Sequence, residues 1–524
     1  MSATPLELIK TETALTDNIN VGDADKVIII ITKIVCVYRI PAVITKHDPE
    51  KQNGSKNQTS ITYGKFQSDL DIVAQQAAGS TLPLVSSKKR IQPDTDNYDP
   101  FANRKVEHPT SDFETLVHLL KGSLGSGILA MPLAFSNSGL WFGLFATLFV
   151  GLTCTYCVHL LVKCAHILCR RRQIPALSFA DVVENAFLDG PPSLQKWSRF
   201  MRFIVDTFLV LDLIGCCCIY LVFIATNLQQ VLDHYLQSHV NIRLVILALL
   251  VPLMLVCLIR NLKYLAPFSF VANVIMFIAI VITMYYIFLD LPPTNSVPGI
   301  VGPTHWPMFF GTVIFALEGI GVVMSLENDM KNPKHFIGCP SVLNIGMGTV
   351  IASYTLVGFF GYLKYGNETK GSITLNLPIE DILAQSVKIM IAIAIFLTYT
   401  LQFYVPIQII WKGIKHKFSP DNHVRGELVL RTLMVILTVV IAAALPNLGP
   451  FITLIGAVCL SSLGVMIPAI VETVVYREDP GHGRFNWRLY KNGFLVVFGI
   501  IGFITGTYVS IEEFAETFGS GKQD

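Results

Sequence analysis

The chain has 524 residues, 52% of them hydrophobic and only 15% charged, with a mean hydropathy of +0.55 and a net charge of +2. This composition excludes a soluble enzyme, and the near-neutral balance gives no electrostatic case for nucleic acid. Repeated apolar runs of about 20 residues, each long enough to cross a bilayer, read as an all-α polytopic membrane protein.

In chain order, residues 1–110 are polar and without period, as in a disordered tail. The run Val27–Ile40 is too short to span and carries Lys33 and Arg39. A β-prone patch, an interfacial segment and a gene-model artefact all remain open for it. No basic, apolar and small-residue leader opens the chain, so the first span is expected to drive insertion. Spans are then expected at Phe113–Ser136, Leu140–Leu168, Phe203–Leu228, Leu244–Ile259, Leu265–Leu289 and Pro307–Leu326. Five more follow at Val342–Tyr365, Ile382–Trp411, Leu428–Leu445, Phe451–Val475 and Gly493–Ile511, about eleven in all. Between the second and third, SFADVVENAF from Ser178 has a Ser cap with Asp181 three positions on, which predicts a short surface helix.

The first span reads FETLVHLLKGSLGSGILAMPLAFS. Gly122, Gly125 and Gly127, with Ser123 and Ser126 between them, weaken the helix at mid-membrane. An unwound backbone survives there only where it lines a cavity inside the protein. Such glycines also serve simply to let helices approach, and both readings stand. The sixth span carries Glu318 flanked by Gly319 and Gly321. An intramembrane acid needs a partner or a polar cavity, so Glu318 is either a backbone-bonded structural carboxylate or a transport residue. Five helices separate the starts of the two glycine-broken spans, and an odd repeat inserts its second copy upside down. The expected fold is therefore a five-plus-five inverted repeat with broken first and sixth helices and a site between them.

Unwinding at Gly122–Gly127 exposes N–H groups at the start of a half-helix, suited to a carboxylate. Carbonyls near Ala316 to Gly319 suit an ammonium. A zwitterion with a small side chain fits both, and this names Gly122, Ser123, Gly125, Ser126, Gly127, Ala316, Glu318 and Gly319 as substrate-binding candidates. Tyr399, with Gln402 and Tyr404, either lines the same cavity or packs. His118, one turn before the break, is the natural proton carrier or a neutral packing histidine. On the third span, Asp206 reads as a solvated or paired acid near the surface, and the deeper Asp212 as a second proton site or a structural acid. Glu472 reads as an interfacial anchor.

Lys and Arg cluster in alternate loops: Arg170–Arg172, Lys196, Arg199, Arg202, Arg260, Lys263, Lys331, Lys334, Lys412, Lys415, Lys417, Arg425, Arg477, Arg484, Arg488 and Lys491. The loops between them are nearly bare. The positive-inside rule puts the N-terminus in the cytosol and residues 512–524 outside. Asn367 then heads a sequon on the outer side, whereas the sequons at Asn53 and Asn57 fall in the cytosolic tail and go unused. Of the eleven cysteines, Cys154, Cys157, Cys164, Cys216, Cys217, Cys218, Cys257 and Cys459 lie in or beside spans as packing residues. Cys36, Cys169 and Cys339 fall on the reducing side.

Several motifs together, HLLKGSLGSGILAMPLAFSNSG from His118, EGIGVV from Glu318, LENDMKNP from Leu326, GYLKYG from Gly361, GSITLNLP from Gly371 and TLQFYVP from Thr400, resemble the proton-coupled amino acid transporters of the amino acid/auxin permease family. YDPFANRKVEHPTSDFETLVHLLKG from Tyr98 is similar to the insect members in particular. The resemblance covers roughly Asp99 to Ile511. It implies the broken-helix fold and proton symport of small neutral amino acids. It also implies that His118, which matches the family's HLLKG histidine, takes part in proton coupling, and it carries the family's EGIG glutamate over to Glu318. Vertebrate members have a cysteine after SITLNLP where Ile379 and Glu380 stand here, and the Gln229–Asn241 loop has none, so no outer disulfide is expected. Ser325 replaces a common proline, and Asp212 is an unusual acid.

The functional expectation is a secondary active transporter with the proton as coupling ion, no other cofactor, and the plasma membrane favoured over the lysosome. The alternatives are an amino-acid sensor signalling through its tail to cytosolic partners, and a pH-independent facilitator. With no metal cluster or nucleophile–base motif, no enzyme is expected.

Overall fold

The computed structural model describes residues 98–519 apart from 105, 107, 108, 124, 259–265, 318, 339, 340 and 478–480. The expectations for the tail before residue 98, including Val27–Ile40, Cys36, Asn53 and Asn57, lie outside the described residues, as do Arg260, Lys263, Glu318 and Cys339.

The bilayer's demand that every backbone group pair internally explains why the described residues are almost wholly helical. The helices are α1 Asp112–Ser123, α2 Gly127–Ser138, α3 Leu140–Arg172, α4 Phe179–Asp189, α5 Ser198–Leu236 and α6 Ile242–Cys257. They continue as α7 Ala266–Phe288, α8 Trp306–Ala316, α9 Ile320–Asp329 and α10 Val342–Tyr365. The last are α11 Ile382–Ile414, α12 His423–Ala444, α13 Leu448–Val475 and α14 Trp487–Gly519. Among the described residues, eight helices are singly long and apolar enough to span, and α1 with α2 forms one more span bent by 54°. The other two expected spans are shorter or interrupted, as α6 and as the pair α8 and α9. The interruptions of the first and sixth spans thus appear where the glycines predicted them. α14 runs on to Gly519, past the expected end at Ile511.

Helix ends follow local chemistry. Ser178 and Asp181 form the expected capping box at α4. That helix is less superficial than anticipated, because Val182, Val183, Ala186 and Phe187 bury its apolar face against α5 and α13. Asp381 caps α11 by accepting from the Leu383 N–H, and Ser341 caps α10 through the Asn344 N–H. Before α3, Gly139 adopts φ +90°, and a Cβ there would lie 2.7 Å from the Ile300 backbone. The loop carrying Ile300 can therefore hydrogen-bond the first turn of α3, with the Leu140 N–H donating to the Pro298 carbonyl at 3.0 Å.

Those of the clustered Lys and Arg residues that are described lie at the helix ends and connections between α3 and α5, α9 and α10, α11 and α12, and α13 and α14, which the alternation of the spans puts at one end, termed here the basic face. There Asp206 faces Arg202 at 3.9 Å, and Glu472 pairs with Lys491 at 2.5 Å. Within α13, residues Gly456–Met466 are wound as a π-helix. Gly456 abuts the Gly311 carbonyl so closely that neither position has room for a side chain, which brings α8 and α13 into backbone contact. The nine described cysteines are buried thiols.

Candidate functional site

The two interruptions meet. α2 packs along α8, and α1 along α9, so the first and sixth spans run side by side through both halves. At the crossing, a Cβ on Gly127 would fall 2.6 Å from the Ala316 Cα, and one on Gly319 would fall 2.8 Å from the Ser123 hydroxyl. At 127 the obstruction is backbone and only glycine allows the approach, whereas at 319 the nearest atom is a side-chain hydroxyl. Ser126 at the head of α2 and Gly319 at the head of α9 make no side-chain cap bond. Two helix N-termini, each with unpaired N–H groups and partial positive charge, therefore open onto the same place. The C-terminal ends of α1 and α8 supply carbonyls beside them. Ser123 is buried, and its hydroxyl has no hydrogen-bond partner among the described residues. A buried unsatisfied hydroxyl is costly unless something comes to meet it.

Space remains on one side. A Cβ on Gly125 would meet no atom within 4 Å. A cavity of about 20 Å³ adjoins Leu317 and Gly319 and also touches Cys154, Val158 and Met347. It has room for about one water.

Of the expected site residues, the structure brings Ser123, Gly125, Ser126, Gly127, Ala316 and Gly319 to one junction. Gly122 lies in the last turn of α1, one residue before its end at Ser123. Glu318 lies between the described residues Leu317 and Gly319. His118 is half-buried on α1, five positions before the break. Tyr399 is placed elsewhere: it is fully buried, its hydroxyl lies 2.7 Å from that of Thr438 on α12, and it stacks on Phe403. Asp212 is buried on α5. Asn367 is exposed in a short 3-10 turn after α10, on the face opposite the basic one.

A family model described as "Transmembrane amino acid transporter protein" matches residues 108–512, which takes in every helix of this junction. The chain belongs to that family. It is a membrane transporter and not an enzyme. It is 45% identical over 426 residues to the proton-coupled amino acid transporter-like protein pathetic of Drosophila melanogaster, covering 81% of this chain and 90% of that one. It is 29% identical over 435 residues to vacuolar amino acid transporter 4 of Saccharomyces cerevisiae, covering 77% of this chain and 58% of that one. Among solved structures, Mhp1, a nucleobase-cation-symport-1 family transporter with bound bromovinylhydantoin, aligns at TM-score 0.46 and 15% identity over 80% of this chain and 94% of that one. A manganese transporter of Eremococcus coleocola aligns at TM-score 0.44 and 14% identity over 78% of this chain and 87% of that one.

Three features of this transporter escaped sequence reasoning. The Tyr354 hydroxyl, from α10, donates to the Ser123 carbonyl at 2.5 Å, so one of the carbonyls freed by the first break is already taken. At the basic face, the fully buried Glu327 accepts from Arg104 at 3.0 and 3.3 Å and lies 2.7 Å from His166 Nε2. Arg104 Nε also donates to the Pro175 carbonyl at 2.6 Å. Thr110 pairs with Met330 as an isolated parallel β-bridge. The segment before α1 is thereby strapped across the basic ends of α3 and α9. Near the opposite face, the buried Lys388 donates to Gln230 at 2.9 Å and to the Thr374 and Leu377 carbonyls at 2.6 and 3.2 Å, tying the GSITLNLP loop to α5 and α11. Glu327 stood in the LENDMKNP motif, where burial of its carboxylate was the missed signal. Nothing local marks Tyr354 or Lys388.

Proposed function

We propose that the chain is a proton-coupled symporter of small neutral amino acids such as glycine, alanine and proline. The observation that carries this reading is the meeting of Gly127 with Ala316 and of Gly319 with Ser123, which sets two uncapped helix N-termini and the neighbouring carbonyls around one small space. Opposed partial charges a few ångströms apart suit a zwitterion. The glycine and alanine lining leaves little room for a large side chain.

His118 is proposed to carry the coupling proton, with Asp212 as the alternative carrier. Glu318 is proposed to line the site. The relative's printed name, proton-coupled amino acid transporter-like, supports the coupling. The basic face is proposed to be cytosolic, as the positive-inside rule implies, which puts Asn367 outside and available for a glycan. The plasma membrane is the proposed location. Signalling to cytosolic partners through the tail is the second role to be tested.

Uptake of labelled glycine, alanine and proline into cells or proteoliposomes, with and without an inward proton gradient, tests the proposal. Gradient-driven accumulation with a proton current supports symport. Uptake without current supports a facilitator, and signalling without uptake supports a sensor. Surface biotinylation beside lysosomal fractionation decides the membrane.

A further inference from the structure

We propose that the cavity at the second interruption receives the substrate's side chain, and that Val158 on α3 limits the size of that side chain. This deepens the preceding reading and rests on it, since it takes an amino acid at the junction as given. On the sixth span the lining comes from both halves and from the break itself: Ile314 of α8, then Leu317 and Gly319, then Val323 of α9. The cavity is therefore centred on the interruption and not beside one half-helix. Gly319 ties it to the polar part of the site. That residue heads α9, lies where an added Cβ would come 2.8 Å from the Ser123 hydroxyl, and lines the cavity. The Ser123 hydroxyl is buried and has no partner among the described residues. A carboxylate held at that helix start, within reach of this hydroxyl, leaves the substituent on its α-carbon beside the cavity.

The chemistry of the walls selects hydrocarbon. Across from the sixth span stand Cys154 and Val158 of α3, Met347 of α10, and Leu460 and Gly464 of the π-wound stretch of α13. None of these side chains carries a charge, a hydroxyl or an amide, so a polar substituent finds no partner there. The volume of about 20 Å³ holds one water-sized group. Glycine leaves it empty, alanine fills it with a methyl, and a longer chain overfills it. Proline keeps within the same limit because its ring returns to the nitrogen.

The walls are fixed. Gly151, one turn before Cys154, abuts Ile351, one turn beyond Met347, and this clamps α3 to α10. Gly456, one turn before Leu460, abuts the Gly311 carbonyl, and this clamps α13 to α8. Of the residues facing the sixth span across the cavity, only Val158 is β-branched. Branching holds its methyls in one rotamer on a helix, whereas Met347 can flex.

The test measures uptake of glycine, alanine and 2-aminobutyrate, which is alanine extended by one methylene, by the full-length transporter in proteoliposomes. In the wild type, kcat/KM for alanine is expected to exceed that for 2-aminobutyrate by about 10- to 200-fold, the range for one methylene in a hydrophobic pocket. Val158→Ala is expected to cut that preference at least about tenfold and to leave glycine within about twofold. Val158→Ile is expected to act in reverse, lowering alanine about tenfold against glycine. Gly464→Ala is a second filling variant, since a Cβ there meets nothing within 4 Å, and is expected to act in the same direction as Val158→Ile. Melting curves check that each variant folds. A wild type that takes up 2-aminobutyrate as readily as alanine overturns the proposal. So do ratios left unchanged by enlarging and filling variants alike, or equal changes for all three substrates, which a structural residue would give. Those results leave the amino acid reading standing, whereas no uptake of any of the three by the wild type overturns that reading and this one with it.

Discussion

Gly127 and Ala316 come from spans separated by most of the first repeat, yet no methyl group fits between them: a Cβ on Gly127 would sit 2.6 Å from the Ala316 Cα. The obstruction is backbone, which cannot swing aside as a flexible side chain can. Gly127→Val is therefore expected to force the first and sixth spans apart, destabilising the fold by about 1–3 kcal/mol, the usual cost of overpacking. A lowered melting temperature in detergent together with lost uptake checks this. A variant that melts and transports like wild type would mean the two breaks do not touch.

Tyr354 holds the Ser123 carbonyl with its hydroxyl inside the bundle. Tyr354→Phe keeps the ring and removes the donor. The buried carbonyl then lacks a partner, at a cost of about 1–3 kcal/mol. Because the bond fixes the edge of the break, the loss is expected to appear as a roughly tenfold fall in kcat/KM as well as in stability. Initial-rate uptake and thermal melting on the same preparation measure both.

Glu327 is entirely buried between Arg104 and His166. Arg104→Ala removes its one guanidinium partner and leaves a carboxylate without water. Breaking a buried pair from one side costs about 3–5 kcal/mol. Glu327→Gln, which keeps the shape and removes the charge, is expected to cost less than Arg104→Ala. The ordering of the two melting temperatures checks the assignment, and Arg104→Ala melting with wild type would show that the strap is not held by charge.

Under the proposed coupling, uptake by the wild type rises as external pH falls from about 7.5 to 5.5, the range in which histidine ordinarily changes charge. His118→Ala is expected to flatten that profile and abolish the substrate-evoked proton current. Uptake by this variant that still follows external pH would move the proton elsewhere. Separately, Asn367→Gln is expected to remove a glycan, seen as a mobility shift that glycosidase treatment of the wild type reproduces.

What was readable in the chain followed from constraints acting within single segments. The span Val342–Tyr365 has the same ends in sequence and structure because hydropathy, bilayer thickness and the Ser341 cap coincide. The break at Gly125 was readable because glycine propensity is local, and Gly319 gave the second break for the same reason. What escaped depends on which side chains meet across the bundle. Tyr354 reaches Ser123 over 231 residues of sequence, and no local pattern encodes that. Tyr399 shows the converse: an aromatic at a plausible depth, turned by the packing of α11 toward Thr438. The π-helix in α13 reads in sequence as an ordinary apolar span, because its wider winding keeps the same composition.

The account stands on the open space beside Gly125 being where the amino acid lies. A Cβ there meets nothing within 4 Å, so the first carbon of a larger side chain enters open space. The most direct measurement is alanine uptake, together with alanine-induced thermal stabilisation, in Gly125→Leu against wild type. The account predicts a variant that reaches the membrane and melts close to wild type without ligand, but shows neither uptake nor a shift in melting temperature with alanine. Wild-type uptake and a wild-type shift in Gly125→Leu would contradict it.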